Sequence, residues 1–284
     1  MPRLAGRAEI GGQTAECFFD LECFHGARVR RPAGRDGEFF FDRLPLVPAM
    51  QLPDSRGLFR TRLPRGRKGI ENAMYTLYSM QRSGNSYKVR LALARLGIPY
   101  RLVEVDILQG QSRTPEFLAR NPNGQVPLLE VAPGRHLAES NAILWYVAGG
   151  TTLAPEDRIE RAEALQWMFF EQHSLEPNIG NAYFWLSLIK GGRDLQSHAL
   201  EDWMENGYRA LSVMEMHLAK HNFFVANHFT IADIALYAYA HVADQCDFDL
   251  SRFPAIRDWL GRVAAEPGYV TMDWTADQLA AAAQ

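Results

Sequence analysis

The chain has 284 residues, 47% of them hydrophobic, enough apolar side chain for one large domain or two ordinary ones. Charged residues make up 22% and the formal net charge is −3, which argues against wholesale disorder and against a dedicated nucleic-acid binder. The 3 cysteines, Cys17, Cys23 and Cys246, build neither a disulfide framework nor a zinc-ligand spacing, no apolar run approaches the roughly 20 residues of a bilayer span, and the N-terminus lacks the apolar core of a signal peptide. The expectation is a soluble cytoplasmic protein with no metal, no membrane contact and no nucleic-acid partner.

Taken in chain order, residues 1–73 hold 13 Lys plus Arg against 9 Asp plus Glu, whereas residues 74–284 hold 17 against 24. The first stretch carries Pro2, Pro32, Pro45, Pro48, Pro53 and Pro64 and sustains no apolar period, so it reads as an unstructured extension or as sequence ahead of a true start at Met74. Its basic end, Arg60 to Lys68, reads as a solvated charge run before it reads as a nucleic-acid or membrane arm. From Met74 the pattern is regular. Tyr75 to Tyr78 is a predicted strand, Ser86 to Leu96 a helix ended by Gly97, and Tyr100 to Val105 a second strand. Pro115 to Arg120 is a short helix, Val126 to Val131 and His136 to Ala138 are strands joined through Pro133-Gly134, and Glu139 to Val147 is a closing helix. The order β-α-β-α-β-β-α over residues 74–150 predicts a small mixed sheet flanked by helices, its first two strands parallel and its last two an antiparallel hairpin. Residues 155–274 read as all-helical, with helical spacing over 159–190, 195–220, 230–244 and 253–266 and breaks at Pro177, Gly191-Gly192, His221-Asn222 and Pro254; residues 275–284 form a tail. Thr230-Ile-Ala-Asp233 fits a capping box, a structural cap rather than a catalytic acid.

Three segments carry candidate chemistry. The turn Met80-Gln-Arg-Ser83-Gly-Asn85-Ser86-Tyr-Lys88 opens a helix, whose free amides and dipole favour an anion such as a thiolate and can lower a thiol pKa from about 8.5 into a range of roughly 3.5 to 7.5. The same residue types also serve as plain turn and N-cap residues. In Asn121-Pro-Asn-Gly-Gln125-Val126-Pro127 the X-Pro bond at a strand entry is a candidate cis peptide that turns the Val126 amide and carbonyl toward a ligand, or an ordinary proline turn. In Leu137-Ala-Glu139-Ser140-Asn a strand runs into a helix whose first turn offers Ser140 Oγ and amides to a carboxylate, with Glu139 beside it for an ammonium; the alternative is a Ser N-cap with a dipole-facing acid.

Together these segments resemble the glutathione S-transferase superfamily over about residues 74–274. The resemblance implies a thioredoxin-like glutathione-binding domain followed by an all-helical substrate domain, with glutathione as cosubstrate, no metal and a homodimer. It implies that Val126 pairs with the cysteinyl backbone of glutathione, that Glu139 and Ser140 take its γ-glutamyl amine and carboxylate, and that Ser83 donates to the thiolate, with Asn85 as competitor. Gln111 and Gln125 are candidates for the glycyl end. Arg82-Ser83-Gly84-Asn85-Ser86-Tyr87-Lys88-Val89-Arg90 is similar to the zeta-class turn, but Gly84 and Asn85 stand where zeta enzymes have Ser and Cys; an Asn there is similar to nu-class and related bacterial enzymes. The implied activity is conjugation of glutathione to small hydrophobic electrophiles, a detoxifying transferase. The alternatives are a glutathione-dependent disulfide reductase and a non-catalytic interaction protein of the same fold. The aromatics of the helix Trp167-Met-Phe-Phe170-Glu-Gln-His173, with Tyr183, Phe184 and Trp185, read as core or dimer interface first and as electrophile-pocket lining second, and His173 reads as a packing residue.

Overall fold

The computed structural model describes residues 74–274, together with Ala8–Ile10 and Gln13–Ala15. The chain divides into two units, Met1–Arg67 and Lys68–Gln284. In the first, strands β1 (Ala8–Ile10) and β2 (Gln13–Ala15) pair antiparallel. The expectations of an unstructured extension over 1–73 and of a tail over 275–284 otherwise fall outside the described residues.

In the second unit β3 (Tyr75–Ser79) leads through α1 (Gly84–Arg95) to β4 (Tyr100–Glu104), and the helix crossover makes β3 and β4 parallel, with Tyr75 opposite Tyr100 and Ser79 opposite Glu104. After α2 (Pro115–Leu118), β5 (Leu128–Ala132) and β6 (Arg135–Ala138) form an antiparallel hairpin, and α3 (Ser140–Ala148) follows. The sheet order is β4-β3-β5-β6. Its central strand β3 is buried at four of its five positions, as a strand covered on both faces must be. Leu77 and Leu129 on the sheet and Leu91, Leu93, Ile143 and Leu144 on the helices belong to one core cluster. This is a thioredoxin-like domain of the order predicted.

Beyond it lie α4 (Arg158–Phe170), α5 (Asn181–Tyr183), α6 (Gly192–Leu195), α7 (Leu200–Leu218), α8 (Ile231–Ala240) and α9 (Pro254–Ala264). All ten residues of α8 are buried, which identifies it as the helix around which the others pack. Its start is the predicted capping box: Thr230 Oγ1 accepts from Ala232 N at 3.3 Å, and Asp233 Oδ2 accepts from Thr230 N at 2.9 Å. Asp233 Oδ1 also accepts from Phe224 N and Trp259 Nε1, so the cap ties α8 to two neighbours. The expected break at Pro177 does not occur. From Arg158 to Leu188 the chain stays helical, passing into i→i+5 hydrogen bonding over Glu171–Gly180 and again over Phe184–Leu188. Proline removes one helical donor and its ring crowds the carbonyl four residues back; the wider π register accommodates both.

Candidate functional site

The strand registers decide which loops meet. Tyr78 near the end of β3 pairs with Leu128 at the start of β5, and Leu128 pairs with Ala138 at the end of β6. One end of the sheet therefore gathers the turn after β3, with Ser83 and Asn85, the entry to β5, with Val126, and the exit from β6, with Glu139 and Ser140.

Helix α1 starts two residues earlier than its apolar pattern suggests, at Gly84, because Ser83 is the N-cap. Ser83 Oγ accepts from Ser86 N at 3.2 Å, and its own hydroxyl hydrogen has no acceptor among the described residues. The turn is held from behind. Ser86 Oγ accepts from Met80 N at 3.4 Å. The buried guanidinium of Arg90 donates to Ser79 Oγ, to the carbonyls of Met80 and Gln81, and to that of Met272, while burial lowers its pKa. Gln81 Nε2 adds bonds to the Met272 and Trp274 carbonyls, so an irregular segment near residue 272 braces the loop that carries Ser83. Arg82 Nε reaches Tyr183 OH at 2.8 Å.

The Val126-Pro127 peptide is cis. The Gln125 carbonyl accepts from Asn121 Nδ2 at 2.8 Å, while the amide and carbonyl of Val126 have no hydrogen-bond partner among the described residues. That leaves one donor and one acceptor at this end of the sheet for an extended backbone. Glu139 sits at φ 66°, ψ 115°, a left-handed conformation that costs a non-glycine residue free energy and that clusters at binding sites. It, and not Ser140, is the N-cap of α3, and its side chain makes no capping bond. Glu139 is exposed, free to meet an ammonium, whereas Ser140 is buried in the first turn.

Ser140 does not hold a free hydroxyl. Its Oγ donates to Asn85 Oδ1 at 3.1 Å and accepts from Lys88 Nζ at 3.3 Å, joining the heads of α1 and α3 directly. Lys88, fully buried, spends its other two hydrogens on Asn85 Oδ1 at 2.8 Å and on Glu171 Oε2 at 2.7 Å. Glu171, also fully buried, accepts in addition from Asn141 Nδ2 at 3.1 Å; burial raises its pKa and Lys88 opposes that rise. With Asn85 Oδ1 taken by two donors, its Nδ2 is turned toward Glu176 Oε1, 3.5 Å away. Burial and the neighbouring Glu171 push the Glu176 carboxyl up to about 7. Sequence reasoning missed this cluster. Lys88 lies between apolar positions of α1, and a lysine there reads as a solvent-facing break in the pattern; the signal was its place three residues after Asn85 on a helix buried along almost its whole length.

Gln111 and Gln125 are engaged locally, Gln111 Oε1 with Asp106 N at 2.8 Å and Gln125 Oε1 with Asn123 Nδ2 at 3.1 Å. Of the long-helix aromatics, Trp167 and Tyr183 are core: Trp167 packs edge-on against Phe170, His217 and Phe224, and Tyr183 is 2% exposed. His173, expected to pack, is exposed. A hollow of about 580 Å³ lies along this helix, lined by Gln166, Phe169, Phe170, Gln172, His173 and Ser174, and includes none of the residues gathered at the end of the sheet. Cys246, the only cysteine among the described residues, is buried and faces three backbone carbonyls, and burial pushes its thiol up to about 12. It is inert.

A four-stranded thioredoxin-like domain followed by an all-helical domain defines the class of glutathione S-transferase folds. The family models for the glutathione S-transferase N-terminal domain and C-terminal domain match residues 73–149 and 197–262, and the chain belongs to that superfamily. A solved structure of a possible glutathione S-transferase from Rhodopseudomonas palustris is 74% identical and superposes with a TM-score of 0.71 over 72% of this chain and 100% of that one. The disulfide-bond oxidoreductase YfcG of Escherichia coli is 30% identical over 64% of this chain and 87% of its own. A Burkholderia graminis glutathione transferase with two glutathione molecules bound per subunit is 27% identical, with a TM-score of 0.61 over 69% of this chain and 85% of that one.

Proposed function

We propose that this protein binds glutathione at the end of the sheet where β3, β5 and β6 meet, ionises its thiol over the N-terminus of α1, and delivers the thiolate to a small hydrophobic electrophile. Val126 pairs with the cysteinyl backbone, Glu139 takes the γ-glutamyl ammonium, and the Ser140 amide takes the carboxylate. The Ser140 hydroxyl holds Asn85. The observation that carries this reading is that, among the described residues, the hydroxyl hydrogen of Ser83 at a helix start has no acceptor, while the one thiol, Cys246, is buried against backbone carbonyls. Stabilising the sulfur anion is the main catalytic act. A Ser83→Ala variant is expected to bind glutathione nearly as tightly while losing thiolate absorbance at neutral pH; unchanged ionisation moves the role to Asn85 Nδ2. No heat of glutathione binding to the wild type would leave an interaction module of the same fold.

The relationship to YfcG favours a second reading, reduction of a disulfide. Glutathione thiolate attacks one sulfur, forming a mixed disulfide and expelling a thiolate, and a second glutathione releases oxidised glutathione; the inert Cys246 takes no part. Turnover of a small disulfide exceeding that of an aryl halide selects this reading, and the reverse order selects conjugation.

As to assembly, Ile159, Ala162, Leu165 and Phe169 share one face of α4, with Ile159 65% and Phe169 70% exposed. We assign this face to a homodimer; a monomer at micromolar concentration in sedimentation overturns that assignment.

A further inference from the structure

Two carboxylates beneath the active-site turn share one cation. Lys88 pairs with Glu171 and gives its remaining hydrogens to Asn85 and Ser140, which leaves Glu176 facing the Nδ2 of Asn85. Glu176 sits in the i→i+5 segment, its Cγ packed against Gly180, where an added Cβ would come within 3.2 Å of it. The titratable groups facing it are Glu171 from its own helix, Lys88 from α1, Glu139 from the head of α3, and Tyr239 from α8, a buried phenol held neutral. With Lys88 positive and both glutamates ionised, this cluster carries one excess negative charge. A thiolate forming over the start of α1 adds a second near the half-buried Asn85 and Glu176, and Coulomb repulsion opposes it unless one negative charge is cancelled.

We propose that Glu176 takes up a proton when glutathione gives one up: the S–H proton leaves to solvent, solvent protonates the Glu176 carboxylate, and the charge of the site does not change. Glu176 touches no reacting atom; it acts through Asn85, as a positioning residue whose protonation leaves Asn85 Nδ2 free for the sulfur. The raised affinity of Glu176 for a proton suits it to this exchange near neutrality. The inference rests on the glutathione-binding reading above.

The test counts protons against thiolates. Calorimetry of glutathione binding in two buffers of different ionisation enthalpy gives the protons released, and ultraviolet difference absorbance gives the thiolate gained. At pH 8 the wild type is expected to release about half a proton or less per thiolate, and Glu176→Gln about one. The wild type alone supplies a second measurement, because at pH 6, below the Glu176 midpoint, its ratio should rise toward about one. A ratio of one for the wild type at pH 8, or equal ratios for wild type and variant, overturns the proposal. Absence of any binding heat overturns the glutathione reading itself and takes this proposal with it.

Discussion

Lys88→Met removes the only cation paired with Glu171 among the described residues, while keeping most of the side-chain volume. Both members of the pair are fully buried, 2.7 Å apart. Breaking a buried pair from one side costs about 3–5 kcal/mol, because the remaining charge is left in a medium that solvates it poorly. Glu171 has little to fall back on: Oε1 already lacks a partner, and Asn141 supplies a single donor to Oε2. For a fold of this size each kcal/mol moves the melting temperature by about 2–4 °C, so the expected fall is roughly 6–20 °C by calorimetry at pH 7. The pH dependence carries the sign. Without Lys88 the Glu171 carboxyl rises further above its unfolded value, and an acid raised in the folded state is tolerated at low pH and penalised as pH climbs through the folded pKa. The loss should therefore be smaller at pH 5 than at pH 8. Adding Glu171→Leu should recover much of it, the two changes being strongly non-additive. A loss under about 1 kcal/mol, or one that does not vary with pH, would refute the claim that this pair is the electrostatic anchor of the site.

Three further outcomes follow from the same packing. In Gly84→Ala the new Cβ falls 2.6 Å from Cε1 of Tyr239, whose ring is buried in α8, and α1 must shift; urea titration should show a loss of about 1–3 kcal/mol. Asp233→Ala leaves Thr230 N, Phe224 N and Trp259 Nε1 without their acceptor inside the helical domain, and should cost about 2–4 kcal/mol in the same titration, with Asp233→Asn costing less. Glu176, raised from 4.5 to about 7, binds its proton more tightly folded than unfolded, so its contribution to stability is complete below pH 4.5 and is lost as pH rises to 7. At about 1.4 kcal/mol per pH unit the loss is about 3 kcal/mol, and Glu176→Gln should flatten that part of the stability profile.

Val126-Pro127, Glu139-Ser140 and the turn around Ser83 were all readable as candidates because each announces itself within a few residues: a proline at a strand entry, an acid and a serine where a strand becomes a helix, a run of cap-forming types before an apolar helix. The strand order and the hairpin were readable for the same reason, since alternation and turn residues are local properties. The capping box at Thr230 is the plainest case, four consecutive residues whose side chains satisfy one another's backbone.

Lys88 and Glu171 stand 83 residues apart, and nothing near either says that the other exists. Each alone reads as a solvated charge; only the covering of α1 by the helical half makes them a buried pair, and that pair in turn fixes which way the Asn85 amide faces and engages the Ser140 hydroxyl. Pro177 shows the same division. Its chemistry predicts a break, yet the packing of the long helix against α7 and α8 favours a widened turn over an interrupted one. Amino-acid order thus determined the elements, their caps and the candidate residues, whose causes lie within one turn of chain. Burial belongs to the assembled fold, and burial decided which charges pair and which carboxylate is pushed toward neutrality.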